Sequence, residues 1–241
     1  MTAYETHLVR RETVAEDTMA FYLERPAGFA FEAGQHATLR VLEPTDIDGF
    51  GQSRTFTFAS APHEPELMIA TRMRDTAFKR TLRSAPLGLR VGLDGPEGLL
   101  LLKEEDVARP VVFIAGGIGV TPFLSIARRA AKVPLPHRIH LFYSNRRPED
   151  APFLKELREL ERANTNFRLI PTMTQMHNSR LPWEGETGPI REEMLARHLP
   201  DLKSPVYCLA GPPGMAMGMQ VLLDRLGIAE RDVRGEEFYG Y

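Results

Sequence analysis

The segment Val-Val-Phe-Ile-Ala-Gly-Gly, residues 111–117, constrains this chain more than any other. An unbroken apolar run that ends in glycines reads as a strand buried on both faces, as in a parallel sheet with helices on either side. The sequence after it repeats that alternation. Helices are expected over Pro122–Lys132, over 151–163 (Phe153, Leu154, Leu157 and Leu160 sharing a face) and over Pro213–Leu226, where Gly227 is the stop. Strands are expected over Ile139–Ser144, Phe167–Thr174 and Pro205–Gly211. Strand–helix alternation of this kind implies a parallel α/β sheet.

The residues before Lys103 follow another period. Short strands are expected over Glu5–Val14, Met19–Glu24, His36–Val41, Arg54–Ala59, Leu67–Arg72 and Leu89–Leu93, separated by Pro and Gly turns, with one helix over Thr76–Arg83. Close-spaced short strands suggest a sandwich or barrel. The charged stretch Lys103–Pro110 reads as a linker, so two domains are expected, over 1–103 and 110–241.

Composition removes several classes. With 30 basic and 32 acidic residues there is no cationic excess to mark a nucleic-acid binder. A single cysteine, Cys208, rules out an internal disulfide and a four-cysteine metal or iron–sulfur site. Cys208 itself reads as a small buried hydrophobe. No histidine pair has metal-ligand spacing, and no metal site is expected. No apolar run is long enough for a membrane span or signal peptide, so a cytoplasmic protein is expected.

Three segments carry chemistry. Ala115–Phe123 (AGGIGVTPF) joins strand to helix, where glycines let backbone approach a phosphate and the helix start favours an anion. Pro122 suits the first helical position and Thr121 the N-cap. Cys208–Met215 (CLAGPPGM) is a second glycine turn at the carboxyl end of a strand, the edge where parallel sheets bind ligands. Ser53–Pro62 (SRTFTFASAP) offers Arg54, Phe56, Thr57 and Ser60: a cationic fork, an aromatic face and hydroxyls, as a planar ring with a diphosphate needs. Each segment alone also reads as ordinary structure, the glycine turns as connectors and the strand as amphipathic.

Together, in this order, they resemble the ferredoxin–NADP reductase family. RTFTFAS resembles its R-x-[YF]-[ST]-x-A-S flavin motif, AGGIGVTPF its nicotinamide-nucleotide turn and LAGPPGM its C-G-P-P-x-M segment. Gly95–Gly98 (GPEG) resembles the turn closing the flavin barrel. Trp183–Gly188 (WEGETG) and Tyr143–Leu157 also sit where such reductases have similar segments. The resemblance implies an antiparallel β-barrel flavin domain followed by an α/β parallel-sheet NAD(P)-binding domain. It implies a flavoprotein oxidoreductase that takes hydride from NADPH or NADH onto FAD (FMN less expected). Single electrons would then pass to a separate acceptor, of ferredoxin or flavodoxin type, or a small oxidant.

The roles it implies are these. Arg54 would hold flavin phosphate, Phe56 would stack on the ring and Thr57 would hydrogen-bond its reactive nitrogen, with Ser60 close by. Ile69, Ala70 and Thr71 would line the flavin through backbone groups. Thr76, Ala77, Phe78 and Lys79 would hold the phosphates, although Lys79 stands where the family has serine. Gly117, Gly119, Val120 and Thr121 would cradle the dinucleotide diphosphate, and Gly211, Pro212 and Pro213 would flank nicotinamide. Ser144, Arg146 and Arg147 would suit a 2′-phosphate and lean the choice to NADPH, while Glu149 and Asp150 blur it. The tail Glu236–Tyr241 resembles family tails that cross the flavin. Glu236 or Glu237 would relay a proton, and Phe238, Tyr239 or Tyr241 would cover the ring. Ala210 departs from the family cysteine before Gly-Pro-Pro, at the point of hydride passage. It leaves open a subunit that holds flavin without catalysis; a nucleotide-binding enzyme without flavin fits only the second half.

Overall fold

The computed structural model describes residues 3–237 other than 45 and 134, with the side chains of 3, 236 and 237 left aside. The first half is an antiparallel six-stranded sheet curled into a half-barrel. Its strands are β1 (Ala3–Ala15), β2 (Thr18–Glu24), β3 (His36–Val41), β4 (Ser53–Thr57), β5 (Glu66–Arg72) and β6 (Arg90–Glu97), in the order β4-β3-β6-β1-β2-β5. Helix α1 (Ala77–Ser84) follows β5. Apolar side chains alternate along these strands, and the inward set (Leu8, Phe21, Leu23, Leu39, Phe56, Ile69, Leu93) meets Phe58 and Phe78 in one core. Phe31 and Phe58 lie 4.5 Å apart between centroids, and Phe29 meets Phe58 edge-on at 5.6 Å.

The second half is a parallel sheet covered on both faces. In chain order it comprises β7 (Val111–Gly116), α2 (Thr121–Lys132), β8 (Ile139–Asn145), α3 (Leu154–Ala163), β9 (Phe167–Met173), β10 (Glu186–Thr187), α4 (Glu192–His198), β11 (Val206–Gly211), α5 (Pro213–Arg225) and β12 (Val233–Glu237). The strand order is β10-β9-β8-β7-β11-β12. β7 and β11 are buried at every residue, as their unbroken apolar sequences require.

Several boundaries differ from the sequence reading. β4 stops at Thr57, because Phe58 and Ala59 turn away to pair with Gln35 and Met68. β6 runs on to Glu97 because it is flanked by both β1 and β3. The charged stretch after Lys103 joins the two halves and is mostly exposed, but it is not irregular. It folds into a 3-10 turn over Glu104–Ala108, and Asp106 is 2% exposed. Its carboxylate accepts from the Lys103 amide and from both Arg234 amino nitrogens, at 2.6 and 2.8 Å.

The halves share apolar core. Ala20, Ala59, Met68 and Ala70 of the first pack in one cluster with Phe113, Phe123, Ile126 and Tyr143 of the second. Polar bonds stitch the same seam. The Ser125 hydroxyl donates to the Ser60 carbonyl at 2.6 Å, and Arg128 reaches Ala59, Glu64 and Glu156. Among the described residues no helix is long and apolar enough to cross a membrane, and no cluster of His, Cys, Asp and Glu could hold a metal ion.

Candidate functional site

On β4, strand periodicity puts Arg54 and Phe56 on one face. The Phe56 ring stacks on Phe78 of α1 at 5.8 Å and 27°, and the Arg54 guanidinium lies 5.6 Å from the same Phe78 ring. Arg54 is oriented by its own neighbourhood, donating to the carbonyls of Phe50, Gly51 and Ser53. Thr57 is 2% exposed, and its hydroxyl oxygen has no partner within the protein. A buried hydroxyl without a partner costs on the order of 1–3 kcal/mol, so Thr57 has a bond to offer an incoming ligand atom. Thr57 thus fits an acceptor or donor on a bound ring.

Ser60 has structural partners of its own. Its hydroxyl accepts from the Met68 amide at 2.9 Å and its carbonyl accepts from Ser125, so it fastens β5 and the domain seam. Ile69, Ala70 and Thr71 lie on β5, the outermost strand of the half-barrel, which pairs with β2 on one side. The other row of backbone groups is the kind an edge strand presents to a ligand.

At the start of α1, Thr76 is the N-cap and accepts from the Lys79 amide. Lys79 is not a surface point charge: it is 6% exposed and its ammonium donates to the Arg72 carbonyl at 2.8 Å. Burial, with Arg74 and Arg54 nearby, lowers its pKa to about 8. The Ala77 amide, one of those expected to hold phosphate, donates to the Asp48 carboxylate at 2.5 Å. That bond, with the Phe50 amide, Arg54 and Arg80, holds Asp48 below the usual carboxylate range. Asp48 escaped the sequence reading because it lies in an irregular loop distant in sequence from α1.

The two glycine turns meet across β7 and β11, which are adjacent. A Cβ on Gly119 would lie 2.4 Å from the Ala210 carbonyl oxygen, and one on Gly116 would lie 2.5 Å from the Met215 sulfur. These glycines pack turn against turn. Gly117 has φ +53° and open space where a Cβ would stand, so it is the glycine that presents backbone outward. Val120 and Thr121 are buried. Thr121 is the first residue of α2 rather than its cap, because a 3-10 turn over Gly117–Val120 leads into the helix; its hydroxyl donates to the Ile118 carbonyl.

Gly117, Ser144, Arg146 and Pro212 line one cleft of about 340 Å³, faced from the first half by Thr18, Arg72 and Arg74. The structure therefore gathers both glycine turns and the end of β8 at one opening between the halves. Arg72 and Arg74 went unread in the sequence because only the packing of the two halves brings them to the glycine turns. Pro213 is the first residue of α5. Arg147 does not line the cleft; it is turned toward Asp150 and Glu16. Ala210 is fully buried between Ala115 and Glu236 in register, and burial pushes the Cys208 thiol up to about 12. Glu237 ends β12 opposite Gly211, and Phe238, Tyr239 and Tyr241 lie outside the described residues. A larger groove, about 1220 Å³, is lined by Tyr22, Arg128 and Trp183 and by none of the residues discussed so far as ligand-binding.

A curled antiparallel sheet joined to a parallel sheet, with glycine turns opening on a cationic cleft between them, defines a two-domain dinucleotide-binding scaffold. Residues 113–220 match the oxidoreductase NAD-binding domain family. The chain is 28% identical over 243 residues to the reductase component of propane 2-monooxygenase from Rhodococcus jostii, covering 97% of this chain and 63% of that protein. It is also 28% identical over 244 residues to mouse (Mus musculus) NADH-cytochrome b5 reductase 3, covering 88% and 79% of the two chains. The solved ferredoxin NADP+ reductase of Neisseria gonorrhoeae, with bound FAD and NADP, has the same fold at TM-score 0.79 and 21% identity, over 98% and 99% of the two chains. Over residues 113–220 the chain is similar to the NAD-binding domain of oxidoreductases, and the relatives named here are reductases. It spans about three-fifths of the length of the first curated relatives it matches, at 63%, 58% and 64%.

Proposed function

We propose that the chain is a flavoprotein reductase that binds FAD along β4, β5 and α1 and NAD(P)H at the two glycine turns, and delivers electrons to a separate acceptor protein. FAD, when bound, supplies the two-electron chemistry with NAD(P)H and the one-electron chemistry with an acceptor. The observation that carries this reading is the buried Thr57 hydroxyl left without a partner on the strand that also bears Arg54. In the proposed complex Arg54 takes a phosphate, β5 offers backbone groups to the ring and Thr57 bonds its edge. Gly117 brings backbone to the dinucleotide diphosphate, and Arg72 and Arg74 add charge from the facing domain. Gly211, Pro212 and Pro213 bound the nicotinamide end. The acceptor is proposed as ferredoxin- or flavodoxin-like, or an oxygenase partner of the kind the relatives' names carry.

Ala210 supports a second reading, a flavin-holding subunit without fast turnover, since the family places cysteine there. Rapid mixing of the flavin-loaded protein with NADPH and with NADH separates the two. Bleaching of the flavin band on the millisecond-to-second scale supports the reductase. Bound flavin that neither donor reduces supports the subunit, and failure to bind FAD or FMN overturns both.

A further inference from the structure

We infer that Glu16, a residue of the first domain, sets the choice of nicotinamide dinucleotide in the second and turns it toward NADH. The inference rests on the dinucleotide reading of the cleft. Sequence alone leaned the other way, because Ser144 lies at the end of β8 and Arg146 and Arg147 follow it. In the structure those arginines are engaged by carboxylates. Arg147 donates to both oxygens of Asp150, at 2.8 and 2.9 Å, and to Glu16 at 3.0 Å. Arg146 donates to Asp150 at 3.1 Å, and Arg72 reaches the same carboxylate at 3.2 Å. Arg180 donates to Glu16 at 3.3 Å. Asp150 is 4% exposed and is held by three guanidinium groups, so it cannot swing aside for an incoming anion.

Glu16 is fixed in place by its backbone rather than by its side chain. It lies in the tight turn between β1 and β2, and its amide donates to the Glu149 carbonyl at 2.9 Å, across the seam. Two residues on, Thr18 lines the dinucleotide cleft. Glu16 thus brings a carboxylate from one domain to the loop of the other that follows β8. A 2′-phosphate gripped by Arg146 in the cleft carries about two negative charges, by analogy with other phosphomonoesters. It would sit on a guanidinium whose other side already faces Asp150, with Glu16 on the neighbouring group. The like charges repel it and compete for the same donors. A ribose with a free 2′-hydroxyl brings no charge and displaces nothing. Glu16 is the member of this set that can be altered without opening a buried charge, since its side chain is 40% exposed.

The test compares the full chain with Glu16→Gln, which keeps shape and backbone bond. Titration calorimetry with 5′-ADP and with 2′,5′-ADP reports the 2′-phosphate alone, without turnover. The wild type is expected to prefer 5′-ADP. Glu16→Gln is expected to shift the ratio of the two affinities about fivefold toward 2′,5′-ADP, as loss of one nearby charge in a partly screened site implies. The ratio of kcat/KM for NADPH over NADH should move with it, and Glu16→Arg should move both further. A wild type that prefers 2′,5′-ADP, or ratios that stay fixed in both variants, overturns the inference. Binding of neither nucleotide to any of the three proteins overturns the dinucleotide reading itself, and the inference falls with it.

Discussion

Thr57 is a hydroxyl placed where the protein alone does not need one. Its replacement by valine is nearly isosteric and removes an unpaired buried oxygen. The flavin-free Thr57→Val protein should therefore melt at or slightly above the wild-type temperature. Flavin reduction by NADH or NADPH should slow by about tenfold, the size of one ordinary hydrogen bond of about 1.4 kcal/mol. A variant that melts lower and reduces flavin normally would show that Thr57 serves packing alone. Lys79 makes a statement in the opposite sense, about stability. Its folded pKa, lowered by burial to about 8, lies below the ordinary lysine value of 10.5. Between those values the unfolded chain holds the proton and the folded chain does not, so stability rises with pH across about 8 to 10.5. Melting curves of Lys79→Met against the wild type should converge across that window, with the wild type gaining as pH rises. Gly119 belongs here too. The Ala210 carbonyl leaves no room for a Cβ, and Gly119→Ala should lose about 2–4 kcal/mol in chemical denaturation, as backbone must shift to admit it.

At the level of elements, the turn over Glu104–Ala108 behaves as a fastening. Asp106 and Arg234 form a pair in which the carboxylate is buried, and they link the connector to β12 at the outer edge of the parallel sheet. Asp106→Ala strands the Arg234 guanidinium and should cost about 3 kcal/mol in urea unfolding. The elements also show what a reader of the sequence could and could not see. β2 and β3 appear almost residue for residue through alternation, and β5 through its short apolar run, both of them local patterns. β7 and β11 appear for the opposite reason, as unbroken apolar runs. β10, β12 and α4 do not appear: two residues, a polar Val-Arg-Gly-Glu-Glu strand on the outside edge, and a seven-residue helix carry no period to detect. The site divides the same way. Glycine turns are legible because glycines clustered between an apolar run and a helix are a pattern in the sequence itself, even where the contact that demands them is distant. Asp48, Arg72, Arg74 and Glu16 are not, because each acquires its role from a partner distant in sequence. Asp48 illustrates the cost of missing such a contact. With its carboxylate on the Ala77 amide, Asp48→Asn should weaken that contact and strengthen flavin binding several-fold in fluorescence titration, as a charge opposed to phosphate is withdrawn.

The whole molecule is best described by its seam. Ala59, Met68 and Ala70 share a core with Phe113 and Ile126, and Arg128 lies between Glu64 of one half and Glu156 of the other. Interfaces of this character resist independent motion and independent melting. Calorimetry of the intact chain should show one transition rather than two, and Ile126→Asp, which puts a charge into that shared core, should lower it sharply or split it. A chain so joined is poor material for exchange of parts. Cutting it between Lys103 and Pro110 and grafting a relative's dinucleotide domain onto this barrel would preserve both folds on paper. The graft would still bury mismatched surfaces, and a working chimera would have to carry over α2, with Ser125 and Arg128, together with the Ala59–Met68 face it packs on.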